Sequence, residues 1–292
     1  MSSGNLTADR RFAYAQMLRK DGDAVAAADL LAQTLELTPH WAEAQFTLAE
    51  TLAEADRKDE ALAAYNAYLA LDPADSMGAA VKLALLGANS GDALPEAYVR
   101  RLFDDYAARF DTALVGKLKY RGPQILRAAI DQAQPYGMFS RAYDLGCGTG
   151  LMGAALRERV QWLGGVDLSP AMIKEAECKG IYDELAVGDM LNALHDIESC
   201  DLIVAADVLT YVGDLAPIFE TVRTKLDGFF AFTIQKKDGD GFALGAEHRF
   251  SHSRDYITAL AYQKGFEILL LQDAVTRQEK GVDVPGLVAV LS

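Results

Sequence analysis

The sequence predicts an all-α segment followed by a doubly wound α/β domain with a mostly parallel, seven-stranded sheet that ends in an antiparallel hairpin. Over residues 8–73, apolar residues recur at helical spacing without strand-like alternation. From residue 141 onward, short β-rich segments alternate with helical segments, which is typical of a parallel sheet covered by helices. The last two β-rich segments, FEILLLQ and GLVAVL, have no helix between them, which favours an antiparallel hairpin.

Composition excludes several classes of protein. The chain has 292 residues, 51% of them hydrophobic, and a net charge of −14. No dense basic run offsets that charge, so we expect neither nucleic acid nor an anionic membrane as a partner. The longest apolar runs are strand-sized and the first residues lack the apolar core of a secretory signal, so we expect a cytoplasmic protein. Three cysteines and four histidines show no metal-ligand spacing, and we expect no metal site.

The helical segment repeats itself at an offset of 34 residues. The first copy is matched by the second at eight positions, which pair Tyr14, Ala15, Leu18, Ala27, Leu30, Leu31, Leu37 and Pro39 with Leu48, Ala49, Leu52, Ala61, Ala64, Tyr65, Leu71 and Pro73. This pattern resembles the tetratricopeptide repeat, whose period is 34 and whose small residues let paired helices pack closely. The resemblance implies a possible protein partner. Ala-rich helical hairpins of another kind remain an alternative.

Residues 88–92 are rich in Gly, Asn, Ser and Asp and predict a linker. Pro95 then opens a helix with an aromatic and apolar stripe at three- and four-residue steps, formed by Tyr98, Leu102, Phe103, Tyr106 and Phe110. Such a stripe lies either in a core or against a ligand. We therefore predict a helical repeat domain over residues 1–94, a helical lead-in or lid over 95–140 and an α/β domain over 141–292.

The strongest local signal is a glycine-rich turn after the first predicted strand, with the sequence Asp144-Leu145-Gly146-Cys147-Gly148-Thr149-Gly150. Glycines permit positive φ and let a ligand lie against the backbone. The spacing of the glycines also fits the sequence motif of dinucleotide-binding domains, but a carboxylate two residues before the first glycine repels a pyrophosphate. Asp144 instead favours a ligand that carries an ammonium group, such as S-adenosylmethionine.

Acidic residues follow at the ends of the next three predicted strands. Asp167, 21 residues after Gly146, is placed to accept hydrogen bonds from ribose hydroxyls. Asp189 and Met190 are placed beside an adenine ring, and Asp207 ends the fourth strand. Ligands bind at the carboxyl ends of strands in open α/β sheets, which supports a shared site. Each aspartate taken alone has a second interpretation as the cap of the next helix.

Four segments in this order, DLGCGTG, VDLS, VGDM and DLIVAADVL, resemble the motifs of class I S-adenosylmethionine-dependent methyltransferases. The resemblance covers residues 95–292, and with the repeats it is similar to a bacterial group of predicted methyltransferases that contain tetratricopeptide repeats. It implies cofactor contacts at Tyr120, Arg121, Asp144, Gly146, Cys147, Gly148, Asp167, Met172, Asp189, Met190 and Asp207. The segment after the fourth strand lacks the Asn/Asp-Pro-Pro-aromatic motif, which disfavours methylation of exocyclic amines.

For the transfer itself, we select His252 and Tyr211 as candidate catalytic residues and Tyr106, Arg249 and Arg277 as candidate substrate contacts. His252 alternatively begins a helix, and the arginines alternatively pair with nearby acids, such as Glu247 or Glu279. The Gly-rich segment 236–250 is typical of a mobile lid. The expected function is methyl transfer to a small-molecule or carrier-borne acceptor. The alternative is a repeat-based partner-binding protein whose cofactor domain acts as a sensor or scaffold, or methylates a protein partner.

Overall fold

A computed structural model describes residues 2–88, 91–112 and 119–292. The chain forms two compact units, one up to Tyr98 and the other from Val99 to Ser292. Residues 89 and 90 of the predicted linker lie outside the described residues. No helix among the described segments combines the length and apolar character that crossing a membrane requires. Within the same segments, no cluster of His, Cys, Asp or Glu is arranged to hold a metal ion.

The first unit consists of consecutive α-helices that repeat as the sequence predicts. Their bounds are α1 Leu6–Lys20, α2 Ala24–Leu37, α3 Ala42–Glu54, α4 Lys58–Leu71 and α5 Ala79–Leu85. Helix α4 therefore begins and ends 34 residues after α2. Alanines that the repeat pairs, such as Ala15 with Ala49 and Ala27 with Ala61, are fully buried. Small side chains at these positions let neighbouring helices approach, which explains why the period survives in the structure.

The second unit begins within a helix and continues, after a further helix, as alternating strands and helices. Helix α6 spans Glu96–Tyr106, a 3-10 turn follows over Ala107–Arg109, and α7 spans Gly122–Ala133. The remaining helices are α8 Leu151–Leu156, α9 Pro170–Lys179, α10 Met190–Asp196, α11 Ala216–Lys225 and α12 Arg254–Gln263. The strands are β1 Phe139–Leu145, β2 Val160–Asp167, β3 Glu184–Val187, β4 Cys200–Ala205, β5 Leu226–Lys237, β6 Phe242–Leu244, β7 Phe250–Ser253, β8 Ile268–Glu279 and β9 Val282–Leu291.

The strands form one mixed sheet in which β3, β2, β1, β4 and β5 are neighbours in that order and run parallel. Strand β9 pairs antiparallel with β5 and with β8, so the predicted C-terminal hairpin is confirmed. The sheet order reverses between β1 and β4. Ligands of doubly wound folds bind at such a switch point, beyond the carboxyl ends of the strands.

Both faces of the sheet are covered. Along β4, Leu202 and Val204 contribute to a core with α7 and α8, whereas Ile203 and Ala205 contribute to a core with α10, α11 and α12. This alternation follows from the two-residue period of a strand. A strand buried on both faces reads as a continuous apolar run, which is why the sequence DLIVAAD predicted it.

The segment 236–250 differs from the prediction of a mobile lid. Strand β5 continues to Lys237, and β6 and β7 follow within or directly after the segment. Strand β7 pairs parallel with residues 235–237 of β5 and antiparallel with β6. The pairing of β5 with β4 ends at Phe232, so the last residues of β5 offer a free edge on that side, which β7 occupies. Among the residues that the structure describes, the sheet therefore has nine strands instead of the predicted seven.

Candidate cofactor site

The glycine turn leaves β1 at Leu145 with its backbone held close to β2 and β4. The Cys147 amide donates a 2.9 Å hydrogen bond to the Val166 carbonyl. Gly146 has a φ of +63°, and a Cβ there would lie 2.3 Å from the Val208 side chain, so only glycine fits. Gly148 has a φ of +54°, and a Cβ there would meet nothing within 4 Å. The turn thus presents bare backbone to an open space.

Asp144 lies beneath this turn and is fully buried. Its Oδ2 accepts a 2.6 Å hydrogen bond from the Tyr182 hydroxyl. Its Oδ1 is buried and has no hydrogen-bond partner among the described residues. Burial raises the pKa of the Asp144 carboxyl to about 7, and the Tyr182 hydrogen bond opposes that rise. A buried carboxylate oxygen without a partner is costly, so this atom is suited to a cationic ligand.

Asp167 closes the other side of the turn. Its Oδ2 accepts from the Gly148 amide and its Oδ1 from the Ser169 amide, both at 2.9 Å. These bonds fix the glycine turn to the end of β2. A carboxylate has about four acceptor positions, so roughly two remain for other donors. Burial raises the pKa of Asp167.

The end of β3 provides the third acidic residue. Asp189 caps α10 by accepting from the Leu191 and Asn192 amides through Oδ1, at 2.9 and 3.0 Å. Asp189 therefore caps a helix, as the second interpretation of the sequence proposed. The cap uses one oxygen of the carboxylate and leaves the other oxygen out of it. Met172 and Met190 are both buried and lie at the starts of α9 and α10. These are the residues that the sequence predicted beside an adenine ring.

Residues 99–112, which we name the lead-in strap, are hydrogen-bonded to the loops of the site. Asp104 Oδ1 accepts from the Ser169 hydroxyl at 2.6 Å, and Asp111 Oδ1 accepts from the Thr149 hydroxyl at 2.5 Å. The Arg100 Nε donates to the Leu168 carbonyl at 3.1 Å. The strap therefore connects the glycine turn with the loop that follows β2.

Asp207 ends β4 in a left-handed backbone conformation, with a φ of +60°. Its carboxylate accepts from Arg277 at 2.9 Å and from Arg249 at 3.3 Å. Arg277 also donates to Glu279 and Gln235, at 3.1 and 2.9 Å, and its side chain is only 2% exposed. Arg277 is therefore committed to this network, whereas Arg249 makes one long hydrogen bond and is 20% exposed. Asp207, which the sequence predicted as a cofactor contact, is paired with two arginines.

Aromatic side chains cover the site next to this network. Tyr211 packs edge-on against Phe103 of the strap, with centroids 5.3 Å apart, and the Arg249 guanidinium lies 5.2 Å from its ring. Tyr106 packs against Phe110, which in turn contacts Phe103. The aromatic stripe of the sequence thus reaches Tyr211 through Phe103, and Tyr106 lies farther along the same cluster.

Tyr120 and Arg121, the two residues before α7, differ in placement. Tyr120 is buried, and burial together with the negative charges of Asp207 and Asp144 raises the pKa of its phenol well above the usual value. The Tyr120 side chain therefore lies within electrostatic range of Asp144 and of the arginine network. The Arg121 side chain is exposed, and its backbone amide donates to the Thr276 carbonyl. The structure does not bring the Arg121 guanidinium to the other site residues.

His252 lies in β7 and is fully buried. Its Nε2 donates a 2.9 Å hydrogen bond to the Gly213 carbonyl, and its ring stacks on Tyr256. Burial lowers the pKa of the imidazole to about 4. A ring enclosed in this way has no path to an acceptor, and neighbouring Ser253 is the residue that caps the following helix. The geometry gives His252 a structural role and does not support the prediction that it is a general base.

Sequence reasoning missed three residues that the structure brings to the site: Tyr182, Asp104 and Asp111. Tyr182 lies in a short connection before β3, where neither spacing nor a motif distinguishes it. The two aspartates are on the strap, where the aromatic stripe drew attention and the polar face did not. Acidic residues on that polar face are the sequence signal that could have identified them.

Comparisons with known proteins give matches to both parts of the chain. Residues 143–231 match a family model described as a methyltransferase domain, and residues 18–85 match one described as a tetratricopeptide repeat. Methyltransferase-like protein 27 from Homo sapiens is 37% identical over 87 residues, which are 29% of this chain and 35% of that protein. The chain thus matches about a third of the length of this curated relative.

Solved structures share the fold at low sequence identity. A 1,6-didemethyltoxoflavin-N1-methyltransferase from Burkholderia thailandensis, solved with S-adenosylhomocysteine, has a TM-score of 0.53 at 16% identity, covering 70% of this chain and 92% of that one. Magnesium protoporphyrin IX methyltransferase from Synechocystis PCC 6803, also solved with S-adenosylhomocysteine, has a TM-score of 0.51 at 16% identity, covering 67% and 98%. Residues 143–231 of this chain are therefore similar to the methyltransferase domain family, and residues 18–85 are similar to the tetratricopeptide repeat family.

Proposed function

We propose that this chain binds S-adenosylmethionine and transfers its methyl group to a small-molecule or carrier-borne acceptor. The observation that carries the proposal is the unpartnered, fully buried Oδ1 of Asp144 beneath the glycine turn. An ammonium group placed on this oxygen satisfies an acceptor that is otherwise costly to bury. A pyrophosphate in the same place meets a carboxylate of its own sign.

The remaining polar groups fit the other parts of the cofactor. Asp167 has acceptor positions left after its two backbone hydrogen bonds, and we assign them to the ribose hydroxyls. The free oxygen of Asp189 and the side chains of Met172 and Met190 are assigned to adenine. Gly146, Cys147 and Gly148 supply the backbone surface against which the methionine part lies. Tyr120 closes the site from the α7 side.

The bound cofactor supplies a methyl group that is already activated on a sulfonium. The protein therefore contributes mainly by positioning the acceptor in line and by excluding water. Tyr211, Phe103 and Arg249 form the wall that we assign to the acceptor. Arg277 is assigned the supporting role of fixing Asp207, because each of its three guanidinium nitrogens already donates, to Glu279, Asp207 or Gln235. The cofactor contact at Arg121 stays a prediction. We assign no general-base role to His252.

A protein acceptor is the second candidate, and the tetratricopeptide repeat match over residues 18–85 favours it. Repeats of this type form surfaces on which other proteins are bound. In that case the repeat unit recruits the substrate and the methyltransferase domain modifies it.

Calorimetric titration of the full chain with S-adenosylhomocysteine and with NAD tests the cofactor assignment. We expect binding of S-adenosylhomocysteine and none of NAD, and the reverse result would contradict the proposal. Release of S-adenosylhomocysteine is then measured with S-adenosylmethionine and two fractions of a cell extract, small molecules and proteins. Turnover with the small-molecule fraction supports the first candidate, and turnover with the protein fraction alone supports the second.

A further inference from the structure

Tyr182 occupies a space that three glycines leave open. A Cβ on Gly153 would lie 2.3 Å from the Tyr182 ring, one on Gly165 would lie 2.9 Å from it, and one on Gly150 would lie 3.0 Å from it. These glycines belong to α8, to β2 and to the end of the glycine turn. Distances below 3 Å require displacement of one group or the other. The backbone around the turn is therefore shaped to admit this one side chain.

The Tyr182 hydroxyl lies at the Gly153 end of that space and makes two hydrogen bonds. It donates to Asp144 Oδ2 at 2.6 Å and accepts from the Gly153 amide at 3.2 Å. The amide fixes the direction in which the hydroxyl proton points. The Asp144 carboxylate is thus held through one oxygen, and its other oxygen stays free and buried.

We propose that Tyr182 is the positioning residue of the cofactor site, which holds Asp144 so that Oδ1 faces the ammonium group of the bound cofactor. The inference rests on the proposed function, because it assigns that ammonium group to Asp144. It adds a residue that no motif identifies. Tyr182 itself does not touch the cofactor in this proposal; it acts through the carboxylate.

The same hydrogen bond controls the charge of Asp144. The titratable groups that face this carboxylate are Tyr182, Asp167, Cys147 and Tyr120. Burial raises the pKa of the Asp144 carboxyl to about 7, the nearby Asp167 charge adds to the rise, and donation from Tyr182 opposes it. Loss of the hydroxyl therefore raises the pKa further, so that Asp144 is neutral over more of the physiological range.

The test is the affinity for S-adenosylhomocysteine of the full chain and of its Tyr182→Phe variant, measured by calorimetry from about pH 6 to about pH 8.5. Phenylalanine keeps the ring that fills the space between the glycines and removes only the hydroxyl. We expect the affinity of the variant to fall about tenfold near pH 6.5 and to approach that of the unaltered protein near pH 8.5. The reason is that a rise of about one unit in the pKa of Asp144 lowers the ionised fraction of its carboxyl about tenfold at pH values below that pKa.

Tyr143→Phe is the matched control. Tyr143 is a buried tyrosine on β1 directly before Asp144, and its side chain points to the opposite face of the sheet. We expect the curve of affinity against pH for this variant to have the same midpoint as that of the unaltered protein. If the unaltered chain binds no S-adenosylhomocysteine at any pH, the proposed function fails. If the unaltered chain binds S-adenosylhomocysteine and Tyr182→Phe keeps the same midpoint of affinity against pH, the positioning role is overturned.

A second measurement uses the intact protein, in case Tyr182→Phe does not fold. A hydroxyl proton in a 2.6 Å bond to a carboxylate gives a downfield nuclear magnetic resonance signal that Asp144→Asn should shift. We expect this signal to titrate with the midpoint of the binding curve and to move when S-adenosylhomocysteine is added. A signal that responds to neither pH nor ligand contradicts the proposal.

Discussion

Replacement of Asp167 by asparagine separates the structural role of this residue from its role in ligand binding. In the structure both carboxylate oxygens accept backbone hydrogen bonds, from Gly148 and from Ser169, each at 2.9 Å. An asparagine has one oxygen and one NH₂ group, so one of these amides loses its acceptor. Leaving a buried donor unsatisfied costs about 1–3 kcal/mol. We therefore expect the free energy of unfolding of the unliganded variant to fall by about that amount.

The effect on ligand affinity comes in addition to this loss. The acceptor positions that we assign to the ribose hydroxyls are reduced, because the NH₂ group can only donate. A further loss of about 1–3 kcal/mol corresponds to a decrease in affinity for S-adenosylhomocysteine of about 5- to 150-fold. Urea denaturation of the unliganded protein and calorimetric titration of the same preparation measure the two effects separately.

Asp201→Asn is the matched control for this experiment. Asp201 accepts two backbone hydrogen bonds as well, from Ser140 and Arg141 at 2.7 and 2.9 Å, but it lies at the amino end of β4. We expect Asp201→Asn to reduce stability to a similar degree and to leave the affinity unchanged. If Asp167→Asn reduces stability and yet binds S-adenosylhomocysteine as tightly as the unaltered protein, the assignment of Asp167 to the ribose is refuted.

Three further outcomes are expected. Gly153→Ala places a Cβ 2.3 Å from a tyrosine ring and should lower the free energy of unfolding by about 1–3 kcal/mol, whereas Gly188→Ala, with its nearest neighbour at 4.0 Å, should have little effect in the same urea titration. Asp104→Ala removes the 2.6 Å bond to Ser169 and should speed amide hydrogen exchange in the lead-in strap; unchanged exchange would contradict a holding role. Burial raises the pKa of Asp144 to about 7, so between its unfolded value near 4 and pH 7 the folded state binds more protons than the unfolded state. The stability of the unliganded protein should therefore fall as pH rises through this range, and Asp144→Asn should weaken that dependence in denaturation measurements.

The sequence predicted those parts of the fold that depend on local patterns. The 34-residue offset placed α4 relative to α2, and the apolar runs located the buried strands. Segment 236–250 was misjudged because its glycines and charges are typical of a loop. What decides its conformation is the length of β5, which runs past the end of its pairing with β4 and leaves an edge for β7. Such an edge arises from tertiary pairing and is absent from the local pattern.

The structure differs from the expectation for His252 for a related reason. A pKa near neutrality makes any histidine a candidate base, but the sequence does not tell how deeply the side chain is buried. In the structure, enclosure of the ring lowers the pKa of His252 to about 4. Tyr182 is the reverse case, a residue without any sequence signal that becomes important through contacts with glycines from three elements.

For the acidic residues at the strand ends, the sequence left two interpretations, a helix cap or a ligand contact. Asp189 shows that one carboxylate can serve both, since its cap uses Oδ1 alone. Asp167 holds two backbone amides and still has acceptor positions to spare, whereas Asp207 is bound by two arginines. Asp144 differs from all three, because one of its buried oxygens has no partner among the described residues. The number of acceptor positions left after the fold's own hydrogen bonds are counted therefore distinguishes a ligand-binding acid from a structural one, and only the structure provides that count.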